Sequence, residues 1–465
     1  MCGIAGSFSI SKPSDTSIER TLVLMHKRGP DNCAFQSSYN GRNFATLLHS
    51  RLSIIDLDTR ANQPFSIDEI TLVFNGEIYN YIELREKLVH QGIQLRTVSD
   101  TEVLLHYYLL YGESCVEHFE GMWAFAIWDK PREKLFLSRD RFGEKPLFVH
   151  HDGNDFFFAS EIKFISSLAE KKFHPNEELL RKNLIFGYRT RHESNATFFK
   201  EVFAFPAGHN MSISKGKPSD PTPYWHWESV KEEPDMTREM AVIGIRDRLM
   251  KAVEIRLRAD VPIAFCMSGG VDSNGIISIA RKQFEHDVHG FTIANEDKRY
   301  DESSIVESTV KQLGIRHTWV SYQKENFLEH LKTIIVQHDS PLPTISYYVH
   351  WLLAQTIAGK GYRVSFSGIG GDELFSGYFD HYLADLADAK IRNASEYDRK
   401  LKDWQTHVLP MIRNPLLREP RAFIKNPNYS DHLYDHWKEL CKYTSIGDDW
   451  DVPKQHAYCK KNVLL

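Results

Sequence analysis

Apolar and polar positions alternate in short runs through the first half of the chain, at residues 2–10, 44–54, 70–74, 123–128, 134–139, 147–150 and 156–160. A two-residue period with turn residues between the runs predicts strands that bury one face. Residues 81–90 and 101–111 have helical length and spacing instead. Many short strands with a few helices predict stacked sheets flanked by helices. From 206 to 235 the chain turns rich in Pro, Trp and Glu and reads as a connection. Beyond Met236 the texture changes. An amphipathic helix over 239–258 precedes an unbroken apolar run, 261–267, then a glycine turn and a further helix. Strand–helix alternation of this kind predicts a doubly wound parallel sheet, so the chain is α/β in class.

A chain of 465 residues is too long for one ordinary core, so two domains are expected, over 2–205 and 236–465, with 206–235 between them. The net charge of -5 gives no electrostatic case for nucleic acid or an anionic membrane. No apolar run approaches the length of a membrane span, and no basic segment followed by an apolar one opens the chain. Cysteines stand at 2, 33, 115, 266, 441 and 459, without a CxxC pair or a metal-ligand spacing. That usage suits a reduced, cytoplasmic protein. The histidines form no HExxH arrangement.

The richest stretch chemically is the start, Met1-Cys2-Gly3-Ile4-Ala5-Gly6. With Met1 removed, Cys2 carries a thiol and a free α-amine on one residue. The thiolate is the nucleophile, and an unperturbed thiol pKa near 8.5 leaves little of it at neutral pH. The α-amine, with a pKa of about 7.7–8.0, can take the thiol proton directly or through a water. A cysteine at position 2 considered alone is a buried core residue, and its neighbours decide otherwise.

Cys2-Gly3-Ile4-Ala5-Gly6 resembles the opening of the class II glutamine amidotransferases, whose N-terminal cysteine hydrolyses glutamine. Further matching segments follow in order: Arg28-Gly29-Pro30-Asp31, Ser50-Arg51-Leu52-Ser53, Phe74-Asn75-Gly76-Glu77-Ile78-Tyr79, Ser99-Asp100-Thr101-Glu102, Gly121-Met122-Trp123-Ala124, and Ser138-Arg139-Asp140-Arg141-Phe142-Gly143. The resemblance implies a four-layer αββα N-terminal-nucleophile sandwich. It also implies roles in a glutamine pocket. Arg51 forks onto the substrate α-carboxylate. Asp100 pairs with the ammonium, Glu77 holds either the ammonium or the loop, and Asn75 with the Gly76 N–H meets the oxyanion formed under attack.

In the second half, Met267-Ser268-Gly269-Gly270-Val271-Asp272-Ser273 follows the apolar strand and opens a helix. Such a turn aims backbone N–H groups and the positive end of a helix dipole at one spot, which is a phosphate site. Strand, turn and helix together resemble the pyrophosphate loop of ATP pyrophosphatases. There Ser268, Gly269, Gly270 and Ser273 cradle phosphate, Asp272 faces Mg²⁺, and adenine lies near Ile293. Tyr300-Asp301-Glu302-Ser303 stands in the family's usual place. Ser367-Gly368-Ile369-Gly370-Gly371-Asp372 resembles the loop that borders the acyl-adenylate in asparagine synthetases, with Asp372 as the second acid near Mg²⁺–pyrophosphate. The combined resemblance is to a glutamine-hydrolysing asparagine synthetase. It implies glutamine, ATP and Mg²⁺ with no prosthetic group, aspartate as acceptor, AMP and pyrophosphate as products, and a homodimer.

Departures from the family pattern open two alternatives. Ile369 stands where asparagine synthetases carry an acid, and His338-Asp339-Ser340-Pro341 looks more like relatives in surface-polysaccharide clusters. Both point to another carboxylate acceptor, such as a sugar acid. Asn274 replaces a small hydroxyl residue after the loop. Residues 447–465 lack the family's late basic segment, which points to a glutaminase joined to an inactive synthetase domain.

Overall fold

The computed structural model describes residues 1–429 apart from 154, 187–194, 215, 232, 296, 299–300, 322–325 and 428. Tyr300, Cys441, Cys459 and the 447–465 stretch lie outside the described residues. In chain order the N-terminal strands are β1 (Gly3–Ser9), β2 (Asn32–Tyr39), β3 (Phe44–Arg51), β4 (Phe65–Ile67), β5 (Ile70–Ile78), β6 (Gly121–Asp129), β7 (Lys134–Arg139), β8 (Phe148–Asp152), β9 (Asp155–Ala159), β10 (Phe203–Ala204), β11 (His209–Ser214), β12 (Lys217–Pro218) and β13 (Thr222–Pro223). They form two sheets, one in the order β10-β8-β9-β1-β3-β2 and one in the order β12-β11-β7-β6-β5-β4, with β13 on β11.

Side-chain alternation sorts these strands into layers. Ile4, Phe8, Ala45 and Leu47 of the first sheet meet Val73, Ala124, Ala126 and Leu137 of the second in one buried cluster. The opposite face of the second sheet, through Leu72, Phe74 and Phe125, packs on Leu84, Leu88, Val103 and Leu104 of the helices Tyr81–His90 and Asp100–Tyr111. The opposite face of the first sheet packs on Ile18 and Met25 of the helix Asp15–Met25 and on Phe164 and Leu168 of the helix Ile162–Leu168. The result is the expected αββα sandwich. β2 was not expected from the pattern, because an edge strand with Gln36, Ser37 and Ser38 carries too little apolar alternation to show. The stretch 206–235 is more than a connection. β11 pairs with β7, and Tyr224 stacks on Trp123 with ring centroids 6.1 Å apart, so its first part completes the second sheet.

The C-terminal part is built on β14 (Ile263–Cys266), β15 (His289–Ile293), β16 (Arg316–Val320) and β17 (Val364–Phe366), all parallel in the order β16-β15-β14-β17. Ile277, Ala280, Val306 and Leu313 of the helices Val271–Lys282 and Ser303–Leu313 cover one face. Ile357 of the helix Ser346–Gly359 packs against Ala264 and Phe291 on the other. The chain therefore reverses its winding between β14 and β17, and that switch point is where open parallel sheets bind ligands, outside the strands' C-terminal ends. The helix Arg238–Arg256 is not the amphipathic packing helix expected. It buries only Val253 and Ile255, because Met240, Val242, Ile243 and Ile245 do not fall on one stripe. Among the described residues no helix is long and apolar enough to cross a membrane.

Candidate active site

The first site lies where β1, β3 and β5 converge. Cys2 precedes β1, and its Sγ sits 3.4 Å from the Leu52 N–H and 3.6 Å from the Leu52 carbonyl oxygen, just beyond the end of β3. Arg28 Nε donates to the Cys2 carbonyl at 2.9 Å, while its Nη1 pairs with Glu161 at 2.9 Å. Arg28 stands in one of the family strings, yet its role as anchor of the nucleophile's backbone is visible only in three dimensions. Burial pushes the Cys2 thiol up, and the Leu52 N–H partly opposes that. The Met1 α-amine is pushed down to about 6 by burial, so a terminal amine in this position is mostly neutral at pH 7.

Cys2, Arg51, Gln63, Phe74, Gly76, Glu77, Ser99 and Asp100 line one pocket with about 30 Å³ of open space. That volume holds a water or two. One wall is the loop after β3, braced by Arg51. Its Nη1 donates to Asp58 O and Asn62 Oδ1, each at 2.8 Å, and its Nη2 donates to Ile55 O and Asp56 O. The free fork expected of Arg51 is thus absent in this arrangement. A buried guanidinium takes the nearest carbonyl acceptors, here those of its own loop, sooner than stay unpaired.

β5 supplies the donors. Phe74 N–H goes to Gln63 Oε1 at 2.7 Å and Ile78 N–H to Asp100 Oδ2 at 3.0 Å. By strand alternation the Gly76 N–H between them faces the same edge, toward the pocket. Gly76 must be glycine, since a Cβ there would lie 2.1 Å from the Met122 carbonyl oxygen across the ladder. Asn75 is buried and its Nδ2 has no hydrogen-bond partner among the described residues. An orphan buried donor costs stability, and Asn75 is next in sequence to Gly76, which lines the Cys2 pocket. Burial, with Asp100 beside it, pushes the Glu77 carboxyl well above its ordinary value, and burial lifts Asp100 to about 6. Lys145 is held in the same buried cluster by Asp140, which accepts the Phe142, Glu144 and Lys145 N–H groups. Lys145 and the buried, neutral His49, whose Nε2 lies 3.1 Å from Phe74 O, were not singled out from sequence. Neither residue type carries a pattern that marks it without the fold.

The second site sits at the β14/β17 switch point. Ser268 and Ser273 hydroxyls lie 2.9 Å apart, and Gly270 N–H donates to Ser268 Oγ at 3.2 Å. The Gly269 N–H donates at 2.7 Å to Glu302 Oε2. A carboxylate thus rests on a backbone N–H just before the helix Val271–Lys282, where the positive end of the helix dipole favours negative charge. Asn274, the departure from the family pattern, fastens this loop by donating to Ser268 O at 3.0 Å and Gly270 O at 2.8 Å. The loop after β17 folds directly over it. A Cβ on Gly371 would lie 2.4 Å from Asp272 Oδ2, and one on Gly368 would lie 2.8 Å from the Ser273 backbone nitrogen. Gly368 and Gly371 are thereby brought against Asp272 and Ser273, with Ser367 and Asp372 next to them in sequence. Ile293 ends the neighbouring strand β15, half-buried. Met267, expected at the ATP site, buries its side chain in the core against Gly290, and its backbone N–H donates to Phe291 O at 2.8 Å. Among the described residues no cluster of three or more metal-ligating side chains exists.

An N-terminal-nucleophile sandwich with a cysteine pocket, joined to a parallel sheet with paired glycine loops, defines a two-domain glutamine amidotransferase. A family model of the glutamine amidotransferase domain matches residues 1–225, and one of asparagine synthase matches 244–452. The chain is 33% identical over 402 residues to a putative glutamine-hydrolysing asparagine synthetase of Methanocaldococcus jannaschii, covering 82% of this chain and 76% of the relative. It is 31% identical over 431 residues to asparagine synthetase 3 of Bacillus subtilis, covering 87% and 68%. Amidase chry2 of Gibberella zeae is 31% identical over 391 residues, covering 79% and 56%. The chain belongs to the glutamine-hydrolysing asparagine synthetase family, and so is a glutamine-dependent, ATP-using amide ligase.

Proposed function

We propose that Cys2, freed of Met1, attacks the glutamine side-chain amide and that the ammonia released is joined to a carboxylate activated by ATP in the second domain. The observation that carries this reading is how the two sites are joined. β14 and β17 rest at their N-terminal ends on the 53–56 loop beside Cys2. Asp260 N–H donates to Ile54 O at 2.9 Å, and Arg363 donates to Asp31 at 2.5 Å. At their C-terminal ends the same strands carry the two glycine loops. Ammonia handed from one end to the other out of bulk water would escape the protonation that removes it as a nucleophile.

In the glutaminase site the α-amine takes the thiol proton, and the Cys2 thiolate forms a thioester as ammonia leaves. Asn75 Nδ2 and Gly76 N–H hold the oxyanion. Arg51 trades loop carbonyls for the substrate carboxylate, while Asp100 and Glu77 hold the ammonium. Asn75→Ala is expected to lower kcat for glutamine hydrolysis about 100- to 1,000-fold with little change in KM. Steady-state glutamate release checks this, and a change confined to KM would remove Asn75 from the oxyanion role.

The raised Asp100 pKa makes a second prediction. The carboxyl is charged above about 6 and neutral below it. Ammonium pairing is therefore lost as pH falls through that value, and KM for glutamine rises about tenfold per pH unit beneath it. A KM that stays flat across the acidic range would sink the assignment.

In the second site the acceptor carboxylate attacks the α-phosphorus of ATP, and pyrophosphate leaves from the Ser268–Ser273 loop. Ser367 and Gly368 border the resulting acyl-adenylate, with adenine against the backbone near Ile293. Ammonia then displaces AMP. Asp272 and Asp372, on facing loops, would hold Mg²⁺ with the pyrophosphate, the ion offsetting charge on the leaving group. Aspartate is the acceptor implied by the family. A second reading, a different acid, is favoured by Ile369, whose side chain is 78% exposed in the loop over Asp272. The experiment is release of pyrophosphate and glutamate with glutamine, Mg²⁺-ATP and aspartate, each omitted in turn. Aspartate-dependent pyrophosphate is expected; glutamate alone would select the other acceptor or an idle second domain.

A further inference from the structure

Several polar contacts join the two domains, and one of them touches the working parts of both. Arg258 forks onto Glu83 with both distances 2.6 Å, and Lys163 Nζ reaches Asp339 at 3.4 Å. Arg363 does something different. It stands immediately before β17, and its Nη1 donates to Asp31 Oδ2 at 2.5 Å and lies 3.4 Å from Ser53 O. The same Asp31 oxygen accepts the Ser53 N–H at 2.7 Å, and the Asp31 N–H donates to Arg51 O at 3.0 Å. Ser53 follows Leu52, the residue whose peptide groups flank the Cys2 thiol. At its other end β17 runs into Gly368, which packs against Asp272 and Ser273. One guanidinium therefore sits a single residue from the nucleophile's hydrogen-bond partner and at the root of the strand that carries an ATP loop.

The strand is short and paired along its length with β14, Ile263 to Val364, Ala264 to Ser365 and Phe265 to Phe366. That pairing gives the loop at one end and Arg363 at the other a continuous hydrogen-bonded connection. Burial opposes ionisation of Asp31, but the Ser53 N–H and Arg363 together hold its carboxyl below the ordinary value. The adjacent strand is tied in the same way, since Asp260 accepts the Asp56 N–H at 2.8 Å just before β14.

We propose that Arg363 is a positioning residue that couples the two sites: through Asp31 and Ser53 it sets the Leu52 peptide against Cys2 Sγ, and nucleotide seated on the β14 and β17 loops changes that setting. This rests on the two-site reading above. Reactivity of the thiol then reports occupancy of a site in the other domain, with no ligand touching both.

The test is alkylation of Cys2 by iodoacetamide in the full chain, followed on the N-terminal peptide by mass spectrometry, with and without Mg²⁺-ATP. In the unaltered chain Mg²⁺-ATP changes the rate about fivefold. In Arg363→Ala the rate without nucleotide differs from the unaltered chain, the response is absent, and kcat for glutamine falls while KM holds. Arg363→Lys restores the response in part, because an ammonium still reaches Asp31. Asp31→Asn, which keeps the volume and loses the charge, behaves as Arg363→Ala and guards against a misfolded variant. Calorimetric binding of Mg²⁺-ATP with no change in alkylation overturns the coupling alone. Absence of Mg²⁺-ATP binding overturns the two-site reading with it. An Arg363→Ala chain with the full response overturns the role of Arg363.

Discussion

Replacing Cys2 by alanine is expected to lower glutamine hydrolysis at least about 10,000-fold, the scale of loss seen when a covalent nucleophile is removed, while ammonia-driven pyrophosphate formation continues. The asymmetry follows from the placement of the thiol. Cys2 lies in a pocket walled by β5 and the 51–62 loop, and the ATP loops lie at the far ends of β14 and β17. Alanine removes the sulfur and keeps the backbone carbonyl that Arg28 holds at 2.9 Å, so the entry to β1 stays in place. Glutamate release and pyrophosphate release, measured with glutamine and then with an ammonium salt, separate the two activities. Equal loss of both would mean that the thiol serves the whole molecule and that the two-site division is wrong.

Asp272→Asn is expected to do the reverse. Pyrophosphate formation falls at least about 100-fold, equivalent to roughly 3 kcal/mol of transition-state stabilisation, while glutaminase activity is retained. Asparagine has nearly the same shape, so it still lies over Gly371, where the absence of a Cβ gives it room. What it lacks is the charge that, on the proposed reading, would hold Mg²⁺ against the pyrophosphate. The change also removes an acid from the first turn of the helix Val271–Lys282, which costs only about 0.3–1 kcal/mol of stability at such an end. An unfolding midpoint close to that of the unaltered chain therefore assigns the loss to chemistry. Normal pyrophosphate formation by the variant would place the metal elsewhere.

These predictions divide unevenly between what could be read along the chain and what could not. The sandwich was legible because strands buried on one face alternate with a two-residue period, and the parallel sheet because its central strand β14, buried along nearly its whole length, reads as an unbroken apolar run before a glycine turn and a helix. β2 was not, since an edge strand has no need of that alternation. β11 was hidden because prolines and polar residues around it resemble a linker, whereas its pairing with β7 is decided by a strand far away in sequence.

The candidate sites show the same division. Cys2, Asn75, Gly76, Glu77 and Asp100 were identified by residue type and motif, as were the SGGVDS turn and the SGIGGD loop. Motifs record local chemistry, so the sequence by itself determined the family and the glutamine-dependent, ATP-using character of the reaction, and it named the residues proposed for each site. Partners distant in sequence are another matter. That Arg51 spends its donors on its own loop, that Glu302 rests on the Gly269 N–H, that Arg28 anchors the Cys2 carbonyl, and that Arg363 meets Asp31 were decided only by the tertiary structure. The physical reason is that a hydrogen bond or ion pair depends on distance and direction in space, and neighbours along the chain do not fix which carbonyl or carboxylate will stand 3 Å away.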